Sequence, residues 1–464
     1  MEFLGLDLPV THLPELDKTF VPLARFFRVY ESGAKHPFAL AVERENGLVS
    51  VYDTALRTEG ALDEADRLYV DRLAKFLLWS RGGWKLVACG SPAAAEYLRS
   101  AYAPGGSRDF DRNFMEGVYE RTFTVECRSY AERPAEKGSS RPVGRHLEGC
   151  RIGLDAGASN LKVSALVDGK SVFSDTMPWR PSEQSDPQYH YDHITAALRA
   201  AAEHLPRVDG VGVSTAGVLV GERCMVASLF LAVGKEDFDR SVKDIYPRTA
   251  ASLGEDIPFA VANDGDVTAL AGAMGLNENG ILGISMGSSE AGGYVDRAGN
   301  VTGWFNELAF TPIDVQPDAA RDDWSGDVGC GVKYLSQEGA VKLAAMAGLE
   351  LPEGGAADKF SSLRRRMDGG DRSVEAVYRD LGVYLGHALA LYAKFYDMNC
   401  ALVMGGVAGG AGGDIILSTA RQVLADEYPD CAFSVQAPDE RVRQIGQSAA
   451  AASLPARAWF SPSI

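Results

Sequence analysis

The chain has 464 residues, 46% of them apolar, and a formal net charge of −17. That length exceeds one ordinary core and favours two or three α/β-sized domains, while the acidic balance opposes a broad electrostatic grip on nucleic acid or on an anionic membrane. No run of about 18 uncharged apolar residues occurs, and the opening MEFLGLDLPVTHLPELDK lacks the basic and then apolar pattern of a signal peptide, so no membrane span and a cytoplasmic location are expected. The cysteines are scattered and never form CxxC or CxC pairs, which points to reduced thiols and away from a zinc knuckle or disulfide frame.

The first 147 residues read as a small α/β domain. Two alternating stretches, 38–42 and 48–52, flank Glu45-Asn46-Gly47, a hairpin signal. A helix is expected over 63–80, a strand over 84–89, a turn at Gly90-Ser91-Pro92, a helix over 93–102 and a strand over 122–128. The order echoes the beginning of the next part, so a degenerate internal copy is one reading and an unrelated accessory domain the other. No helix-turn-helix with a basic recognition helix stands out. Residues 131–146, AERPAEKGSSRPVGRH, are rich in Pro, Gly, Ser and charge and read as a linker.

Four signals follow in one order, with one further strand between the first and the second. RIGLDAGASNLKVSALVD is a strand ending on Asp155, a turn through Gly157, Ala158 and Ser159, and a second strand over 163–167. Such a turn either cradles phosphate through its backbone N–H groups, with Asp155 holding a hydrated Mg²⁺, or is an ordinary hairpin. A strand over 208–214 then delivers Ser214-Thr215-Ala216-Gly217, where Gly217 either lets a substrate approach or merely ends a strand. IPFAVANDGDVTAL places Asn263 and Asp264 at the end of a strand and the start of a helix. Ligands collect at the carboxyl ends of strands in open α/β sheets, so Asp264 is placed to take a proton from an alcohol and Asn263 to orient it; the alternative is an N-cap. ILGISMGSSEAGGYVD repeats the hairpin with Gly287 and Ser288 at its turn. ALVMGGVAGGAGG, behind a helix expected over 373–398, ends a buried strand at Gly405-Gly406, which suits a nucleotide floor or simple packing.

Together these signals resemble the ROK family of the actin, hexokinase and Hsp70 superfamily, over about residues 150–455. Asp155-Ala156-Gly157-Ala158-Ser159-Asn160 is similar to the first phosphate loop, D-x-G-G-T-N/K. Asn263-Asp264 with Ala269-Leu270 is similar to N-D-x-N-x-x-A-L, Gly287-Ser288 to the G-T of the second phosphate loop, and Gly405-Gly406 to the adenosine motif. The resemblance implies an α/β fold of two RNase-H-like lobes around a central cleft: 148–275, completed by a C-terminal helix over 440–455, and 276–439. It implies ATP with Mg²⁺, a hexose or hexose-derivative acceptor, and Asp264 as catalytic base. Asn263 and Glu307 then bind sugar; Gly157, Ser159, Asn160, Gly287, Ser288, Gly405 and Gly406 bind nucleotide. Dimers are frequent in the family, so a homodimer is a candidate assembly, with no nucleic acid or membrane partner.

The departures concern the acceptor and the phosphates. The family's E-x-G-H is here Glu307-Leu308-Ala309-Phe310, a further sugar-binding Glu corresponds to Val332, and its cysteine-rich zinc loop is reduced to Gly329-Cys330-Gly331, so no structural zinc is expected. A site built to pair a hydroxyl loses roughly 1–3 kcal/mol when the partner is removed. Ser289 and Glu290 replace Gly and an apolar residue, and an acid beside a triphosphate repels it unless it points away or meets the metal. These losses favour a non-catalytic sugar or nucleotide sensor as the competing reading; the retained Asn263-Asp264 pair favours a kinase.

Overall fold

Three larger sheets organise a computed structural model that describes residues 1–138, 143–439, 442 and 446–456. In the first, strands β1 (His36–Glu43) and β2 (Val49–Leu56) form the expected antiparallel hairpin, turned by Asn46 and Gly47 at φ 55° and 67°. β3 (Lys85–Cys89) pairs antiparallel with β1 and parallel with β4 (Thr124–Arg128), giving the order β2-β1-β3-β4. The helix Glu64–Arg81 starts where Asp63 accepts the Asp66 N–H and stops at Gly82, whose φ of 78° and contact with Phe305 leave no space for a side chain.

The expected accessory domain over 1–147 is not a separate unit. Residues Met1–Gly138 share one compact unit with Ile284–Gly292 and Trp304–Ala437. Buried charge is one reason. Asp327 receives Lys75 at 3.2 Å, Arg72 at 3.1 Å and Arg108 at 2.6 Å. Burial opposes its ionisation, but these cations override it and hold the carboxyl far below the usual range. Main-chain clamps are the other reason. Asp380 accepts the N–H groups of Glu15 and Leu16 at 2.8 and 2.7 Å, Glu427 those of Thr11 and His12, and Asp314 that of Val21 at 3.0 Å. Residues Glu2–Phe3 and Leu6–Asp7 pair as a short ladder, whereas these N–H groups between Thr11 and Val21 end on buried carboxylates.

The second unit comprises the described residues of Ser139–Gly283, Gly293–Gly303 and Pro438–Ile464. Its sheet contains β5 (Cys150–Ala156), β6 (Asn160–Val167), β7 (Lys170–Pro178), β8 (Gly210–Thr215) and β9 (Phe259–Asn263), in the order β9-β8-β5-β6-β7. β5, β8 and β9 are mutually parallel, while β6 and β7 meander antiparallel. Ile152, Leu154, Val211 and Val213 fill the core beneath, against Ile194 and Leu198 of the helix Pro187–Ala202. On the other face the short helix Gln447–Ala452 lies on the sheet backbone, because Gly153 and Gly212 present no Cβ to it. Of the C-terminal helix expected over 440–455, residues 440, 441 and 443–445 lie outside the described residues, as do 139–142 of the expected linker.

The third sheet has β10 (Ile281–Met286), β11 (Glu290–Val295), β12 (Cys400–Met404) and β13 (Ser434–Gln436) in the order β11-β10-β12-β13. The helix expected over 373–398 runs over Glu375–Tyr392, and a second long helix, Gly410–Glu427, follows β12. Among the described residues no helix is long and apolar enough to cross a membrane.

Candidate functional site

Strand register builds the first half of the site. Asp155 on β5 is the cross-strand partner of Ser214 on β8, and Ser214 in turn of Ala262 on β9, so Asp264 begins two residues beyond the same level. Three parallel strands therefore end together, at the edge where α/β sheets present ligands. The Ser214 hydroxyl donates to Asp155 Oδ1 at 3.0 Å, and Lys162 Nζ approaches Oδ2 at 3.3 Å from β6. Asp264 is lifted above the usual carboxylate value, first by burial and then by the charge of Asp155. A partly buried carboxyl of that kind is a better proton acceptor than an exposed one.

Asn263, rather than Asp264, is the principal cap of the helix Asp264–Leu276. Its Oδ1 accepts the Gly265 N–H at 2.7 Å and its Nδ2 donates to the Gly217 carbonyl at 2.9 Å. Asp264 Oδ1 shares the same N–H at 3.0 Å. Both ends of the Asn263 amide are thus engaged with the protein, and they tie the helix start to the Gly217 turn. Gly217 has φ 115°, and a Cβ would lie 2.7 Å from that of Ala227. Packing alone requires glycine there.

The turn between β5 and β6 is fixed from outside. Trp179 donates its indole N–H to the Gly157 carbonyl at 2.7 Å and its backbone N–H to Ser159 O at 3.1 Å; Gly157 N–H closes the turn on Asn160 O at 3.0 Å. Ala158 and Ser159 stay exposed. A Mg²⁺ ion carried by a nucleotide needs one or two protein carboxylates, and Asp155 beside Asp264 offers a pair of like charges that a cation relieves. The donor set fits, with Lys162 as the competing cation.

In the other unit the structure brings two predicted stretches together. Val407 N–H donates to Met286 O at 2.9 Å, and Gly405, at φ 94°, lies so close to the Met286 backbone that no side chain fits. Gly405-Gly406 therefore runs beside the Gly287-Ser288 turn, and Gly406, Ser288 and Ser289 are exposed. Glu290 is turned away from them, buried at 3% exposure. Glu307 is half-buried, its backbone N–H donating to Trp79 O at 3.0 Å. Phe310 packs its ring 4.7 Å from Trp79 and 4.8 Å from Trp324, and beside it Ala309, Cys330 and Val332 form an apolar cluster.

No family model matches the sequence, and comparison with curated proteins gives no match. Solved structures do match. A ROK hexokinase from Thermus thermophilus aligns at 19% identity over 66% of this chain and 98% of its own, with a TM-score of 0.50. A ROK family transcriptional regulator, a homologue of the E. coli MLC protein, aligns at 17% identity over 66% and 78%, with a TM-score of 0.51. The fold is that of ROK proteins. A ROK family glucokinase from Streptomyces griseus, in complex with glucose and AMPPNP, is similar at 21% identity over 66% of this chain and 97% of its own, TM-score 0.48.

On this ROK fold, Lys162, Trp179 and Gln447 were missed by the sequence reading. Lys162 had a signal: it and Asp155 are equidistant from the turn centre at Ala158-Ser159, so hairpin pairing sets them opposite one another. Gln447, whose amide donates to Asp264 O at 3.2 Å and Thr268 Oγ1 at 2.8 Å, had none, because the helix that carries it is far away in sequence. Trp179, just beyond the strand Lys170–Pro178, lies outside every stretch the sequence singled out.

Proposed function

We propose that this chain is a divergent ROK-family kinase that transfers the γ-phosphoryl group of ATP to a hydroxyl of a sugar. The observation that carries the reading is the register of β5, β8 and β9, which gathers Asp155, Ser214 and Asp264 at one strand edge. Asp264 takes the proton of the sugar hydroxyl as that oxygen attacks, and its raised pKa suits it to the task. Asn263 fixes the helix start that bears Asp264, and Glu307 positions the sugar. Backbone N–H groups around Gly157, Ser159 and Asn160, and around Gly287 and Ser288, receive phosphate oxygens, while Gly405-Gly406 receives the nucleoside. Asp155, oriented by Ser214, would hold Mg²⁺, which when bound neutralises charge on the phosphates.

A sensor that binds sugar or nucleotide without turnover is the second reading. Phe310 and Val332 favour it, since both are packed in apolar surroundings where hydroxyl partners would be needed. An ADP-release assay across hexoses and amino sugars separates the two. Sugar-dependent ADP production is expected for at least one acceptor; calorimetric binding of sugar or MgATP with no ADP from any acceptor would replace the kinase by the sensor.

A further inference from the structure

Glu290 opens β11, three residues beyond Gly287, and its side chain serves no step of the proposed reaction. Its Oε1 accepts the Tyr392 hydroxyl at 2.9 Å; its Oε2, equally buried, has no hydrogen-bond partner. A buried carboxylate with one bare oxygen is an unfavourable group that calls for an explanation. Burial pushes its pKa up to about 8, so the side chain carries its proton at neutral pH.

Three segments close on this carboxyl. The helix Glu375–Tyr392 supplies the Tyr392 hydroxyl. Gly331 supplies an empty position: a Cβ there would strike Glu290 Oε2 and lie 2.7 Å from Leu308 O. Oε2 and the Leu308 carbonyl, which also accepts the Thr311 N–H at 3.0 Å, therefore border the same gap. Thr311 completes the ring, its hydroxyl donating to Leu308 O at 2.8 Å and lying within hydrogen-bonding reach of Tyr392. The titratable neighbours are uncharged at neutral pH, because burial raises Tyr392 and pushes the Cys330 thiol up to about 11. Lys75, which faces Cys330, is held by Asp111 and Asp327.

We propose that protonated Glu290 is a positioning residue that locks the turn Gly287–Ser289 to the turn Leu308–Phe310, and that its ionisation opens the lock. The assignment of these turns to phosphates and to Glu307-bound sugar rests on the proposed function; the lock itself does not. Opening it places a negative charge near the Leu308 carbonyl oxygen and directly after a phosphate-binding turn. The sign for stability follows. The unfolded side chain ionises near the ordinary glutamate value and the folded one near pH 8, so the wild type loses stability as pH climbs between those values, whereas Gln at 290 cannot ionise.

The test compares the full-length wild type with Glu290→Gln and Glu290→Ala. In thermal unfolding, the advantage of Glu290→Gln over wild type should grow by about 5 °C between about pH 6 and pH 9. In calorimetric titration with MgATP, wild-type affinity should fall about tenfold from about pH 7 to pH 9, while Glu290→Gln changes less than about twofold. Glu290→Ala, which has no donor, should bind about tenfold more weakly than Glu290→Gln at both values. Parallel melting curves for wild type and Glu290→Gln across this range overturn the lock. Diverging melts with the same pH response of MgATP affinity overturn its coupling to the phosphate turn. If MgATP binds to none of the proteins, the proposed function falls, and the melting curves still decide whether the lock exists. Should Glu290→Ala not fold, the wild type and Glu290→Gln carry the test.

Discussion

The strand edge around Asp155 and the turn around Glu307 differ in how their surroundings are made. Asp155 and Asp264 are placed by backbone register; Ser214 and Lys162 hold the Asp155 carboxylate, and Asn263 caps the helix that Asp264 begins. Glu307 sits in irregular chain, followed by Phe310 against Trp79 and Trp324. A position set by three parallel strands cannot drift without breaking the sheet. Side chains on a loop can turn apolar and repack, so acceptor recognition is the part of such a fold most open to change.

The strongest way to break this contrast is at its polar end. Asp264→Asn keeps size and removes the proposed base: turnover with any active acceptor should fall by at least about 1,000-fold. MgATP affinity by calorimetry should move less than about threefold, and undiminished turnover would take the base away from this edge. At the other end, Asp327→Asn leaves Lys75, Arg72 and Arg108 facing a neutral group. Urea unfolding should show a loss of about 3–5 kcal/mol, as for a broken buried ion pair; a loss below about 1 kcal/mol would mean the cluster does not hold residues 1–138 in their unit.

Two smaller effects sharpen the comparison. Trp179→Phe deletes the indole donor to Gly157 O and should weaken MgATP binding about fivefold, roughly 1 kcal/mol, with little change in melting temperature. Phe310→His gives the apolar side a hydroxyl partner and should lower the acceptor KM about fivefold at constant kcat. An unchanged KM would mean that Phe310 does not limit recognition.

Much of the architecture was legible in local pattern. Asn46-Gly47, the strand ends at Asp155 and Asn263, and the glycine at 405 each announce a turn visible in a few residues. The gathering of Asp155 and Asp264 at one strand edge was legible because it follows from strands. The domain boundary was not, because the contacts that bind residues 1–138 to later segments join positions about 250 to 400 apart and leave no periodic trace. Nor was the burial of Glu290, since a lone acid at a strand start reads as exposed until Tyr392 and Gly331 are seen around it.

The backbone amides of Thr11, His12, Glu15, Leu16 and Val21 end on carboxylates at positions 427, 380 and 314. A ribosome delivers these amides long before it delivers their acceptors, and until then only water can satisfy them. Closure of this segment therefore waits on acceptors that lie 293 to 416 positions later in the chain, an event of high contact order.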